Sequence, residues 1–269
     1  MKELLEKWSN RRSCTQKELE SLIGVLSFAC KVVRPGRTFM RRMLNLLRAQ
    51  KKRADGRHIK LTEGLAARAG FNEDLAWWSN YLSTWNGVSM FYDPYKTPSS
   101  EIGLVVKSDA SGWGAGAVFG AEWWYFAWTP EEVGRFDISY RELYALSVAA
   151  CTWCENLRAR SRDGSARIML FMCDNAAAVE ATNGGSVWDE DLMYLVRKLH
   201  FLSAENNFYI ICKHLAGVNN SLADSLSRGQ VGKFRKEHPQ AAEEPVNPIR
   251  WDHPSGRKRR WLPETPNLS

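Results

Sequence analysis

Apolar and polar positions follow two different periods along this chain, and the change falls near residue 100. Before it the spacing is helical. Thr15-Gln16-Lys17-Glu18 reads as a capping box. Leu19, Leu22, Ile23, Leu26, Cys30 and Val33 follow on one stripe, and Pro35-Gly36 is expected to stop the helix. A second helix is predicted over about residues 37–53, with Phe39, Met40, Met43, Leu44 and Leu47 inward. The two would form an αα-hairpin. From Leu61 to Trp85 a third helical stretch carries Trp77, Trp78, Tyr81, Leu82 and Trp85. Aromatics at this spacing favour a core over a base-stacking platform. Asn86-Gly87, Asp93-Pro94 and Lys96 to Ser100 then mark turns and a linker, which places a boundary at residues 98/99.

Beyond the linker, short apolar runs alternate with helical stretches. Strands are predicted at residues 102–108, 115–119, 122–128, 167–173 and 207–213. Helices are predicted at about 139–160, 176–183, 189–205 and from Ser221. Strands first, then strands alternating with helices, argue an α/β fold: a mixed five-stranded sheet flanked by helices, preceded by a small all-α module. After Gly229 the periodicity stops. Six prolines between Pro239 and Pro266, paired glutamates and no apolar period predict a disordered tail over 230–269. The run Arg257-Lys258-Arg259-Arg260 inside it reads either as a nuclear-import signal or as a chance basic cluster.

Composition narrows the class. No apolar run of about 18 residues occurs, and the first six residues include the charged Lys2, Glu3 and Glu6, so neither a membrane span nor a secretory signal is expected. An intracellular protein, cytoplasmic or nuclear, follows as the expectation. Six scattered cysteines have no framework spacing, and Cys151/Cys154 lack the partners of a zinc site. The net charge of +7 is uneven. Residues 1–60 hold 16 Lys+Arg against 5 Asp+Glu, leaving 21 against 25 for the rest. A basic helical module in front of a more acidic one suits a polyanionic partner; the other reading is a solvated helix face rich in Arg. Arg41, Arg42, Lys51 and Lys52 are the candidate phosphate contacts.

Four acids sit where chemistry would need them. Asp109 closes the first apolar run of the second module, before the glycine-bearing turn Ser111-Gly112-Trp113-Gly114. Buried there, a carboxylate is costly unless a cation meets it. Glu142 stands three residues after Ser139, so it serves a capping box or points inward. Asp174 ends another apolar run, with Asn175 competing to cap the following helix. Asp224 lies in the short helix from Ser221. Each alone has an ordinary structural reading.

Taken in order, strand-Asp, helix-Glu, strand-Asp, helix-Asp resembles the ribonuclease H domain of retrotransposon reverse transcriptases of gypsy or DIRS type. The residues that carry the resemblance are Asp109-Ala110-Ser111 with the glycines after it, Arg141-Glu142-Leu143 with Ala145, Asp174-Asn175, and His214 through Arg228. It covers about Gly103 to Arg228, and less specifically Thr15 to Leu47, which is similar to the thumb preceding this domain in DIRS-like elements. The resemblance implies a ribonuclease H-like sheet and cleavage of the RNA strand of RNA–DNA hybrids. It implies two Mg²⁺ ions, with Mn²⁺ as a substitute, held by Asp109, Glu142, Asp174 and Asp224. Oxygen donors suit such ions, and two ions can activate water, clamp the phosphoryl oxygens and stabilise the leaving oxygen. Mutual repulsion should raise at least one carboxyl pKa when no metal is bound.

His214, ten residues before Asp224, either passes a proton as product leaves or bonds backbone at a strand end. Asn175 either meets a ribose 2′-hydroxyl or caps its helix. No Asp-Asp pair occurs anywhere, so the polymerase palm is missing and polymerase activity is not expected. The polymerase part of a retroelement remains a candidate partner. Two other readings stand beside the nuclease: an inert nucleic-acid-binding remnant, and an integrase-like member of the same fold.

Overall fold

The computed structural model describes residues 1–53, 58–62, 64, 70–84, 105–160, 167–206 and 208–251. The chain divides into two compact units, whose described parts are residues 1–84 and 105–251. The expected boundary at 98/99, Trp85 and the basic run at 257–260 lie outside the described residues.

The first unit contains α1 (Lys2–Ser9), β1 (Ser13–Cys14), α2 (Gln16–Ala29), a 3₁₀ segment (Arg34–Met40), α3 (Arg41–Arg53), β2 (Ile59–Lys60) and α4 (Phe71–Thr84). The capping box forms as expected. Thr15 accepts from the Glu18 backbone N–H, while Glu18 accepts from that of Thr15. Pro35-Gly36 does not stop α2, which has already ended at Ala29; the pair starts the 3₁₀ segment instead. Gly36 is required there, since a Cβ would lie 2.3 Å from the Trp78 ring. Trp77, Trp78 and Leu82 are buried, and Phe39 stacks on Trp77 with centroids 3.9 Å apart. These aromatics are core. A two-residue antiparallel pairing of β1 with β2 was not foreseen, because two residues carry no period.

The second unit holds β3 (Val105–Ala110), β4 (Gly114–Phe119), β5 (Glu122–Ala127), α5 (Pro130–Arg135), α6 (Ile138–Arg160), β6 (Arg167–Cys173), α7 (Ala176–Gly184), α8 (Glu190–Glu205), β7 (Phe208–His214), α9 (Ser221–Ser227) and α10 (Val231–Glu237). The sheet order is β5-β4-β3-β6-β7, antiparallel over its first three strands and parallel thereafter. Three meandering strands followed by two parallel crossovers give the mixed, helix-flanked sheet of the ribonuclease H-like fold. The main core joins α6 and α8 to one face through Leu143, Tyr144, Leu146, Trp153, Leu195 and Leu199. On the other face Val118, Trp123, Leu226 and Phe234 form a second cluster beneath α9 and α10.

The small-residue run of β4 sets how closely α9 approaches. Gly116 pairs with Asp109 in register, and a Cβ on Gly116 would lie 2.3 Å from the Leu226 Cβ. With glycine there, the α9 backbone lies directly on the sheet. That contact brings the end of α9 up to Asp109.

The expected disordered tail is corrected as far as residue 251. Phe234 of α10 is fully buried, and residues 238–251 form a strap around the β5 edge. Ala242 N–H donates to the Ala121 carbonyl at 2.8 Å, and Val246 N–H to that of Trp123 at 2.9 Å. The strap ends on the α6 side, where the Tyr144 hydroxyl donates to the Trp251 carbonyl at 2.8 Å and Arg250 pairs with Glu132. Spaced anchors replace a regular period, so composition alone reads as disorder. Among the described residues no helix is long and apolar enough to cross a membrane.

Candidate active site

One turn in the sheet and one helix end assemble the cleft. At the β3–β4 turn, the Ser111 hydroxyl accepts from the backbone N–H groups of Trp113 and Gly114 at 3.0 and 3.2 Å. It donates at 2.7 Å to the carbonyl of Ser227 at the end of α9. The Asn220 amide, fully buried, donates to the Ser108 carbonyl at 3.1 Å and fixes the other end of α9 to β3. Side chains on the 109–111 strand and turn therefore anchor the helix that carries Asp224.

Asp109, Glu142, Asp174 and Asp224 all line one open cleft of about 360 Å³, together with Ile138, Asn175 and Arg228. A liquid water occupies about 30 Å³, so the space admits a phosphate group and several waters. Asp109 is 4% exposed and Glu142 3%, while Asp174 and Asp224 are half-buried. Glu142 does not close a capping box. The cap belongs to Asp137, which accepts from the Tyr140 N–H at 2.8 Å. A two-residue shift of the cap, from Ser139 to Asp137, leaves Glu142 in the second turn, on the cleft side with Ile138. Likewise the Asn175 side chain caps α7, accepting from the Ala178 N–H at 3.0 Å, and Asp174 is released from that duty. A Cβ on Gly217 would come within 3.2 Å of an Asp174 carboxylate oxygen, so the loop after β7 passes close beside it.

The cleft is short of positive charge. Burial, then the neighbouring Asp109 and Asp174 carboxylates, push Glu142 up to about 9. Burial also raises Asp109, to about 6, with Asp174 and Asp224 adding to the shift and the Ser227 hydroxyl, which donates to it, opposing it. Desolvation outweighs the repulsion that the sequence suggests as the cause. The Cys173 thiol is raised strongly by burial and then by Glu142, so it stays protonated and points its S–H at Glu142 at 3.7 Å. Glu142, Cys173 and Asp174 bring potential ligand atoms within 4.8 Å of one another. A protonated thiol is a poor ligand, and the carboxyl oxygens around it suit a hard divalent cation.

His214 stands exposed at the end of β7, outside the cleft lining, with Nε2 3.0 Å from the Asp174 carbonyl oxygen. The expected basic residues belong to the first unit, and one of them needs correcting. Arg42 lies inward, ion-paired to Glu73 and 3.8 Å from fully buried Asp74. Its partners are more than thirty positions away, beyond what local spacing shows. Arg41 is also half-buried, whereas Lys51 and Lys52 are exposed, Lys51 pairing with Glu20 at 2.9 Å. Sequence reasoning missed Arg228, Ser227, Ser111 and Asn220. For Arg228 the signal was present, because it stands four residues after Asp224 on one helix.

No family model and no curated protein matches the sequence. Among solved structures, a foamy viral protease–reverse transcriptase in complex with double-stranded DNA is similar at 16% identity and a TM-score of 0.30. A selenomethionine-labelled prototype foamy virus protease–reverse transcriptase mutant follows at 13% identity and 0.27. Each covers 76% of this chain, which spans 35% and 25% of their respective lengths. Likeness at this level carries no argument about this chain's chemistry; the sheet order and the cleft stand on their own geometry.

Proposed function

We propose that this protein is a metal-dependent endoribonuclease of the ribonuclease H type, cutting the RNA strand of RNA–DNA hybrids. The observation that carries the reading is the convergence of Asp109, Glu142, Asp174 and Asp224 on one cleft, from four separate elements. Two of the four are almost fully buried and held above the usual carboxyl range, so the cleft favours an incoming divalent cation. Bound Mg²⁺, or Mn²⁺, would supply Lewis-acid stabilisation and an activated water. Asp109, Glu142, Asp174 and Asp224 would hold such ions between them. The Cys173 thiol and Ser227 hydroxyl orient Glu142 and Asp109, respectively. Asn175 has its Oδ1 engaged in capping, which leaves its amide N–H groups to meet a ribose hydroxyl. His214 bonds the backbone carbonyl of Asp174 at the end of β7, as one of its two expected readings has it, and in this proposal it would also pass a proton as product departs.

The deciding assay is cleavage of a labelled RNA–DNA hybrid with Mg²⁺, against single-stranded RNA and duplex DNA. Hybrid-restricted cutting is expected. Binding of all three without cutting by a folded protein would support an inert nucleic-acid-binding remnant instead.

A further inference from the structure

Among the described residues lining this cleft, Arg228 brings the one guanidinium to its four acids. It is the residue after α9, where the helix C-terminus favours a cation. Its Nε donates to Asp224 Oδ1 at 2.7 Å, with side-chain exposures of 55% and 30%. Asp109 and Asp174 also lie within its electrostatic reach, since both favour its charged form. The guanidinium lines the same cleft as all four acids. Nε uses one of five N–H donors, and among the described residues the Nη groups have no hydrogen-bond partner.

We propose that Arg228 is the resident counter-cation of the acid cleft: it holds Asp224 when no divalent ion is bound, competes with an ion for that carboxylate, and yields to a phosphate of the nucleic-acid backbone. The proposal rests on the metal-site reading given above. Two physical facts give it its direction. A fixed positive charge bonded to a ligand oxygen weakens cation binding there, because the bond must be given up or the two charges brought close. A planar guanidinium with free Nη donors matches a phosphate in a forked geometry, better than it matches one oxygen of a carboxylate already bonded through Nε. A backbone phosphate drawn to the Nη groups would relieve the competition at Asp224. Nucleic acid and cation would then bind with positive coupling, each raising the other's affinity by the same factor.

The test is calorimetric titration of Mg²⁺, and separately Mn²⁺, into the full chain without nucleic acid. Arg228→Gln should bind the ion about three- to tenfold more tightly than wild type at low salt, with the gap narrowing as salt rises. Arg228→Ala should behave alike, which guards against a peculiarity of the glutamine amide. Arg228→Lys, keeping the charge, should stay near wild type. In hybrid binding without metal, Gln and Ala should bind more weakly than wild type. Unchanged or weaker ion binding by folded Gln and Ala variants overturns the proposal. Asp109→Asn separates the two levels of the argument. If wild type binds the ion, Asp109→Asn does not, and Arg228→Gln equals wild type, the metal site stands and the role of Arg228 falls. If wild type takes up no ion at all, both fall.

Discussion

Asp74 in the first unit and Asp109 in the second are both aspartates in a protein interior, 0% and 4% exposed. They are kept there in opposite ways. Asp74 meets the Arg42 guanidinium and accepts from the Arg42 backbone N–H, so its charge is answered from within the unit. Asp109 meets one hydroxyl and a set of like charges, while the one guanidinium that acts on it, Arg228, is the weakest of these influences and is bonded to Asp224 instead. A buried charge with its partner is architecture; a buried charge lacking one is a demand for a ligand. The same contrast sorts the basic residues. Arg42 is consumed by the fold, Arg228 lies in a cleft with donors to spare.

The widest gap between the two aspartates should appear in activity. Asp109→Asn should lower hybrid cleavage by about a thousandfold or more, since metal capture contributes several kcal/mol. Hybrid binding in Ca²⁺ should stay within a few-fold. Substantial cleavage by this variant would remove Asp109 from the site.

Stability should separate them next. Arg42→Ala leaves Asp74 buried without its guanidinium and should cost the first unit about 3–5 kcal/mol, read by denaturant unfolding. Asp109→Asn should leave the metal-free second unit as stable as wild type or more so at pH 8. Equal losses in both would erase the distinction drawn here.

Dependence on pH sharpens the same point. Glu142 has a folded pKa raised above its unfolded value, so its contribution is fully present below about pH 4.5 and lost as pH climbs towards about 9. Metal-free protein should therefore melt progressively lower across that window, and Glu142→Gln should flatten the trend. Because the protons on Asp109 and Glu142 must leave before an ion binds, apparent Mg²⁺ affinity should rise between about pH 6 and 9. A pH-independent affinity would contradict that account of the cleft.

The smallest effect concerns the exposed lysines of α3. Replacing Lys51 and Lys52 by Gln should reduce the salt slope of hybrid binding by about two and leave the rate at saturation unchanged. An unchanged slope would reduce the basic helix to a solvated face.

How legible was all this in the chain itself? The five strands could be read because short apolar runs bounded by turn residues recur along the second module, and their observed ends fall within a few residues of the expected ones. The four acids could be singled out because each sat at the end of a predicted element. Their convergence on one patch was expected from the order of the four acids and the family resemblance, but not the contact that brings it about, which depends on Gly116 letting α9 lie against β4. Glu142 was ambiguous for a local reason: Ser139 and Asp137 both offer a cap, and spacing cannot choose between them. The engagement of Arg42 was hidden because Asp74 lies thirty-two positions away. Distance along the chain, more than chemistry, marks where reading stopped.

The strap of residues 238–251 has a consequence for how the second unit can be handled. It hydrogen-bonds along β5, the outermost strand, and the Trp123 indole N–H donates to the Ala242 carbonyl at 2.8 Å. A chain cut after Gly229 keeps all four acids but strips that edge. The freed backbone carbonyls of Ala121 and Trp123 would then accept from the edge of another molecule. Such a truncation should form insoluble assemblies, whereas one ending at Trp251 or beyond should stay monodisperse. Solubility, not catalysis, is what the last described stretch of this protein protects.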